Sequence, residues 1–292
     1  MIFASKTMHL NFKEGVGYLT FPALEAVPFV RHAFTTRVGG VSEGEFTSMN
    51  LSFGRGDPDE NVQENYRRIC NAAGFVYEGL VASAQDHHTY VRRVGAAEKG
   101  IGIYRPRDLK SVDGLITDEP GITLVTYYAD CVPLFFVDPV KRAVGLAHAG
   151  WRGTVGRIGE ETIRRMSEEF GSRPEDLLAA VGPSIGPCCY EVDEPVAREF
   201  LAMQDLKPEE FVTPKEGDKY MLNLWEANRR ILRNAGVLPE HLSVTDLCTR
   251  CNHDLLISHR ATGGKRGGMA AMMGVFSFHF SCKENPRIIN VI

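Results

Sequence analysis

Aspartate, cysteine and histidine stand in a suggestive order between Asp130 and Gly153, in DCVPLFFVDPVKRAVGLAHAGWRG. Two apolar runs, VPLFFV (132–137) and AVGLAH (143–148), flank a turn in which Asp138 and Pro139 suit the first positions of a type I turn. If Asp138 pairs with Lys141, the register sets Cys131 opposite His148, with Cβ atoms about 5 Å apart on one face of the hairpin. That separation suits two ligands of one tetrahedral zinc, where Zn–S is about 2.3 Å and Zn–N about 2.0 Å. Pro139 disfavours the primed turns of two-residue hairpins, so a longer loop with a shifted register is the alternative. A third ligand is offered by the pair His87-His88 in AQDHHTYV. Adjacent side chains on extended backbone point to opposite faces, so only one of the two is expected at the metal. Two imidazoles and a thiolate leave a fourth position for water or substrate, the pattern of a catalytic zinc. Asp130, beside Cys131, is a candidate proton shuttle or orienter of a ligand histidine. Spacing alone equally accommodates Cys131 as a small buried hydrophobe and the histidines as ordinary core or surface groups.

Anion-binding candidates adjoin this segment. After His148 the chain reads Ala149-Gly150-Trp151-Arg152-Gly153 and enters a helical pattern at Thr154, an expected N-cap. A helix start offers free N–H groups and positive potential, and Arg152 adds a bidentate donor for phosphate. Arg37, in Thr36-Arg37-Val38-Gly39-Gly40-Val41-Ser42, has the same character. Two further cysteine motifs are less specific. Cys248-Thr-Arg-Cys251 has no second pair at zinc-finger spacing and is expected to be structural or redox-related rather than a second metal site. The adjacent Cys188-Cys189 lies in a Gly/Pro loop, GPSIGPCCYEV, where it is a candidate for lining the pocket.

The elements that must position these groups are legible in part. Apolar runs at 124–129, 132–137, 143–148 and 268–278 alternate with helical patterns over 58–73, 154–170 and 223–235, so the chain is expected to mix helices and strands as α/β or α+β. No repeat or low-complexity linker divides it, and one domain over 1–292 is the simplest reading. With 292 residues and 43% hydrophobic content the chain can bury a large core. A formal net charge of -4 provides no basic face for nucleic acid. No run approaches the ~20 apolar residues of a membrane-spanning helix, and no signal pattern opens the chain, so a cytoplasmic protein is expected. Seven cysteines, an odd number, argue against a disulfide framework.

The ordered motifs HAFTTRVGGVSEG, QDHH, ADCVP, AHAGWRG, VGPSIGPCCYEV and CTRCNHDLLISHR resemble the YfiH/YlmD family, long described as polyphenol oxidases or laccases and related to the macrophage protein FAMIN. The likeness runs from about Arg31 to the C-terminus and is closest to bacterial YlmD-type members. It implies an α+β fold of layered α/β/β/α type with mixed sheets. It also implies a zinc on His87, Cys131 and His148, phosphorolysis of adenosine, inosine and methylthioadenosine, and deamination of adenosine. The implied partners are a purine nucleoside and phosphate, with no nucleic acid and no membrane. Arg37, Arg152 and the helix start at Thr154 are the candidates for holding the phosphate, with Cys131, His148 and Asp130 as the catalytic set. The sequence departs from the family where His88 replaces a usual glycine, and Gly264-Lys265-Arg266-Gly267-Gly268 is looser than the usual Thr-Gly-Arg form. Two rival chemistries follow from the same residues: a cysteine hydrolase or deamidase with Cys131 as nucleophile and His148 as its base, and a copper-dependent oxidase, which the older family description implies.

Overall fold

The computed structural model describes residues 3–277 except 109. Two six-stranded mixed sheets lie face to face. The first runs, in spatial order, His9–Lys13, Val16–Thr20, Val30–Thr35, Met269–Val275, Thr123–Tyr128 and Leu80–Ala82. The second runs Leu242–Val244, Leu178–Val181, Val132–Asp138, Ala143–Ala149, Gly114–Thr117 and Val91–Arg93. The helix Asp59–Ala73 covers the outer face of the first sheet, and Ile158–Phe170 with Leu224–Asn234 covers the second. This is the α/β/β/α layering expected of the chain. Of the apolar run at 268–278, the strand takes Met269–Val275, and residue 278 lies outside the described residues.

The long apolar runs are strands because both of their faces are covered. Every residue of Val132–Asp138, Ala143–Ala149 and Met269–Val275 is buried, which explains why none of them alternates with polar residues. Consecutive side chains feed different cores. Phe135 joins the core between the sheets, and Phe136, on the opposite face, joins the core under the outer helices. Each such burial contributes about 1.5–3 kcal/mol.

Two expectations about local structure change. The hairpin pairs Asp138 with Ala143 and Pro133 with His148, so its loop is longer than Asp138–Lys141 pairing requires. Asp138 Oδ1 accepts the backbone N–H groups of Val140 and Lys141, both at 2.8 Å, and this side-chain turn opens the loop. The resulting register shift is two residues, which keeps Cys131 on the same face as His148 as a diagonal neighbour. The helical pattern over 154–170 is also broken. A short helix, Trp151–Val155, precedes Ile158–Phe170, and Arg157 between them has φ 58°, a left-handed conformation that interrupts the helical ladder. Gly171, with φ 68°, ends the second helix as its position suggests.

Candidate metal centre and active site

Two links cross from the first sheet to the second at the C-terminal ends of Leu80–Ala82 and Thr123–Tyr128, which run parallel. His87 lies on the first link and Cys131 on the second. His148 arrives at the same end as the penultimate residue of Ala143–Ala149. One ligand atom from each of the three falls within 4.8 Å of the others, and the His87 and His148 ring centroids are 4.9 Å apart. His148 is buried, Cys131 half-buried and His87 exposed, so the group grades from the core toward solvent. Gly150 closes one side. A Cβ there would lie 3.0 Å from His87 Nδ1 and 3.1 Å from Cys131 Sγ, so only glycine permits this approach without displacing a ligand.

The residue that organises the centre is Asp113, which carries no spacing signal in the sequence. Its Oδ1 receives His148 Nδ1 at 2.8 Å and the backbone N–H of His87 at 3.1 Å; its Oδ2 receives the N–H groups of Asp86 and His88, each at 3.1 Å. Three successive amides thus cradle one carboxylate, and His87 takes φ 70° to complete the cradle. With Nδ1 engaged, His148 has Nε2 free as a ligand. Burial alone would lower the His148 pKa, but the adjacent Cys131 and Asp113 outweigh it and lift it to about 9. Burial and the neighbouring His148 push His87 below the usual imidazole value. Burial would raise the Asp113 carboxyl, yet the hydrogen bonds from His148 and the amides hold it below its ordinary range. Two imidazoles, a thiolate, a fixed tautomer and a glycine-lined cradle fit a three-ligand zinc site with one position open.

The three residues line a cleft of about 200 Å³ together with Phe53, Tyr127 and three arginines, Arg55, Arg107 and Arg266. No acidic side chain forms an ion pair with these arginines among the described residues. Burial and the like charge of Arg55 depress Arg266 to about 10, and its Nε is buried with no hydrogen-bond partner among the described residues. Concentrated positive charge of this kind favours an anion.

Arg37, Arg152 and Thr154 are not among the residues lining this cleft. Arg37 spends its guanidinium on the carbonyls of Thr47 and His253. Arg152 lies over the Trp151 ring, with Cζ 4.1 Å from its centroid, and does not line the cleft. Thr154 is fully buried inside the short helix, bonded to Asn228 Nδ2 at 3.0 Å, and so is not an N-cap. Asp130 orients no histidine: its carboxylate receives Thr249 Oγ1 at 2.6 Å and Arg260 N–H at 2.7 Å. His88 turns to Ser111 and Asp86 at the surface, away from the cleft. The three cleft arginines sit on separate loops. Of them, only Arg266 lay in a segment already singled out, Gly264 to Gly268, and a search for arginines flanked by glycine, as in Gly54-Arg55-Gly56, would have found Arg55 as well.

The chain is similar to known proteins over most of its length. Residues 31–275 match the family model described as multi-copper polyphenol oxidoreductase laccase. Purine nucleoside phosphorylase YlmD of Bacillus subtilis is 38% identical over 83% of this chain and 87% of its own. The crystal structure of YlmD from Geobacillus stearothermophilus superimposes with a TM-score of 0.83 at 36% identity, covering 92% of this chain and 99% of that one. A hypothetical protein, YfiH of Bacillus licheniformis, gives a TM-score of 0.86 at 32% identity, covering 91% and 98%.

Proposed function

The chain belongs to the family described as multi-copper polyphenol oxidoreductase laccase, and from that premise we propose that it is a zinc-dependent purine nucleoside phosphorylase acting on adenosine, inosine and S-methyl-5′-thioadenosine, with deamination of adenosine as a side reaction. The observation that carries the reading is the cleft itself, in which three arginines without an acidic partner among the described residues share a wall with the His87, Cys131 and His148 group. The curated relatives named purine nucleoside phosphorylase supply the reaction class.

In phosphorolysis a phosphate oxygen bonds to the anomeric carbon of the ribose while the bond to the purine nitrogen breaks, giving ribose 1-phosphate and a purine that takes up a proton. Arg55, Arg107 and Arg266 hold the phosphate and offset its charge as it approaches the sugar. Phe53 and Tyr127 offer apolar surface for the flat base. Asp113 fixes the ring of His148, and Gly150 keeps the ligands close-packed. A zinc ion on the three ligands supplies Lewis acidity at the open face of the group. Among the described residues only one metal-ligand group contains histidine, which favours a single zinc over a multicopper assembly. The partners are small molecules. Among the described residues no helix is long and apolar enough to cross a membrane, and a cytoplasmic location is part of the same proposal.

Inosine incubated with the purified protein should release hypoxanthine and ribose 1-phosphate only when phosphate is present. Cys131→Ala should lose zinc and this activity together; full activity in folded Cys131→Ala protein overturns the assignment. One observation favours a second reading. Cys131, His148 and Asp113 form the chain of nucleophile, base and orienting carboxylate that a cysteine hydrolase uses. Alkylation separates the two: zinc should protect Cys131 from iodoacetamide if it is a ligand, and a nucleophile would stay reactive in the purified, active protein.

A further inference from the structure

The adjacent Cys188-Cys189 and the Cys248-Thr-Arg-Cys251 pair converge. Cys188, Cys189, Cys248 and Cys251 place their sulfurs within 4.8 Å of one another. Cys188 Sγ is 3.5 Å and Cys189 Sγ 3.4 Å from Cys251 Sγ, across sequence separations of 63 and 62 residues. None of the four is in a disulfide among the described residues. A tetrahedral zinc with Zn–S of about 2.3 Å holds its sulfurs a little under 4 Å apart, so the four need only small adjustments to close on one ion. An iron–sulfur cluster, with its cysteines on different irons, would spread them more widely. The Gly186 N–H donates to Cys248 Sγ at 3.2 Å and ties that sulfur to the loop carrying Cys188 and Cys189. The C-x-x-C pair does have a partner pair, but it is the vicinal one on a distant loop, a spacing that no zinc-finger pattern describes.

We propose that these four cysteines form a second, structural metal site, a tetrathiolate zinc separate from the His87, Cys131 and His148 centre. Its position explains its use. The loop carrying Cys188 and Cys189 and the turn carrying Cys248 and Cys251 are otherwise joined by few bonds, among them Thr249 N–H to Ser184 O at 2.9 Å. Both hold Asp130: Ile185 N–H donates to its carbonyl at 2.9 Å, and Thr249 Oγ1 to its carboxylate at 2.6 Å. Asp130 has φ 89° and precedes Cys131, so a metal clip on these loops fixes the backbone that presents the first-site thiolate. Coordination by four protein sulfurs leaves no open position, which makes the site structural rather than catalytic.

The test uses a full-length variant in which the first site is removed, His87→Ala with Cys131→Ala and His148→Ala, purified without added metal. One equivalent of zinc should remain, with an X-ray absorption spectrum of four sulfur neighbours at about 2.3 Å. Exchange with cobalt(II) should give the thiolate charge-transfer bands of a tetrathiolate ion. In an otherwise unaltered chain, Cys251→Ser should lose one equivalent of zinc and expose the remaining three cysteines of the cluster to a thiol reagent. Should either variant fail to fold, the unaltered protein decides: its four cluster thiols should resist the reagent until a chelator removes the metal. A folded first-site variant without zinc, or four thiols that react equally with and without bound zinc, overturns the proposal. Retention of one zinc by both the unaltered and the first-site variant would instead overturn the first site and leave this one standing.

Discussion

Replacing Asp113 by Asn removes one charge and one acceptor without changing shape, and so isolates what the carboxylate does. Its two oxygens serve four donors, two each: His148 Nδ1 and the His87 amide at Oδ1, the Asp86 and His88 amides at Oδ2. An amide can present its oxygen to only one pair. With the NH2 group at Oδ2, it opposes two backbone N–H groups that have no other role, and two bonds are lost. With the NH2 group at Oδ1, the His87 amide loses its partner, but His148 can change tautomer and accept at Nδ1, so only one is lost. The second arrangement wins by about one hydrogen bond to a neutral amide, ~0.5–1.5 kcal/mol. It leaves the proton on Nε2, the nitrogen the metal needs. Binding zinc must then reverse the tautomer, so affinity should fall about 10- to 100-fold, the range seen when partners of ligand histidines are removed. One effect opposes this. Without the carboxylate, His148 loses one of the neighbours that lift it to about 9, and protons compete less well for the site. Above pH 9, where His148 is neutral with or without the carboxylate, that offset vanishes and the loss should be read there. Competition with a chelating dye measures the affinity, and urea unfolding of the metal-free protein should show a loss of about 1.5–3 kcal/mol. Zinc affinity in Asp113→Asn within threefold of the unaltered protein would refute the reasoning.

Arg266→Gln should raise the KM for phosphate about 10- to 100-fold through loss of one charge-assisted contact, whereas Arg152→Ala should change it less than threefold; steady-state kinetics at varied phosphate checks both, and the reverse order would move the anion site back to the helix start. Gly150→Ala has ordinary backbone angles, φ -63° and ψ 176°, yet puts a methyl 3.0 Å from His87 Nδ1, so zinc affinity should fall at least tenfold with little change in Tm. An unchanged affinity would show that the ligands have room there. His32 is buried, its Nε2 accepts the Phe21 N–H at 2.8 Å, and burial, partly offset by Glu25, lowers its pKa to about 4 from 6.5. The folded state therefore resists protonation that the unfolded chain accepts, and this contribution is full above pH 6.5 and lost as pH falls from 6.5 toward 4. About 3 kcal/mol should disappear over that window, and unfolding free energies of His32→Gln across the same pH range should fall less steeply; equal slopes would remove His32 from the account.

Local pattern alone determined a good deal about this protein. The apolar runs at 124–129, 132–137 and 143–148 are strands, because four to eight continuous apolar residues between turn signals leave few other options. The helix ends at Gly171 and Gly236 follow from glycine's access to positive φ. Cys131 and His148 share a face for the same kind of reason: strand side chains alternate with period two, and even a two-residue register shift preserves that relation. Tertiary structure decided the rest. Asp113 stands 35 residues from His148 and joins it only where the strand Gly114–Thr117 pairs with Ala143–Ala149. Arg55, Arg107 and Arg266 meet because loops from both ends of the chain close over one end of the sandwich. The two cysteine pairs meet for a similar reason, through loops beside the paired strands Leu178–Val181 and Leu242–Val244. Non-local strand pairing sets these meetings, and no window of sequence contains the partners it brings together.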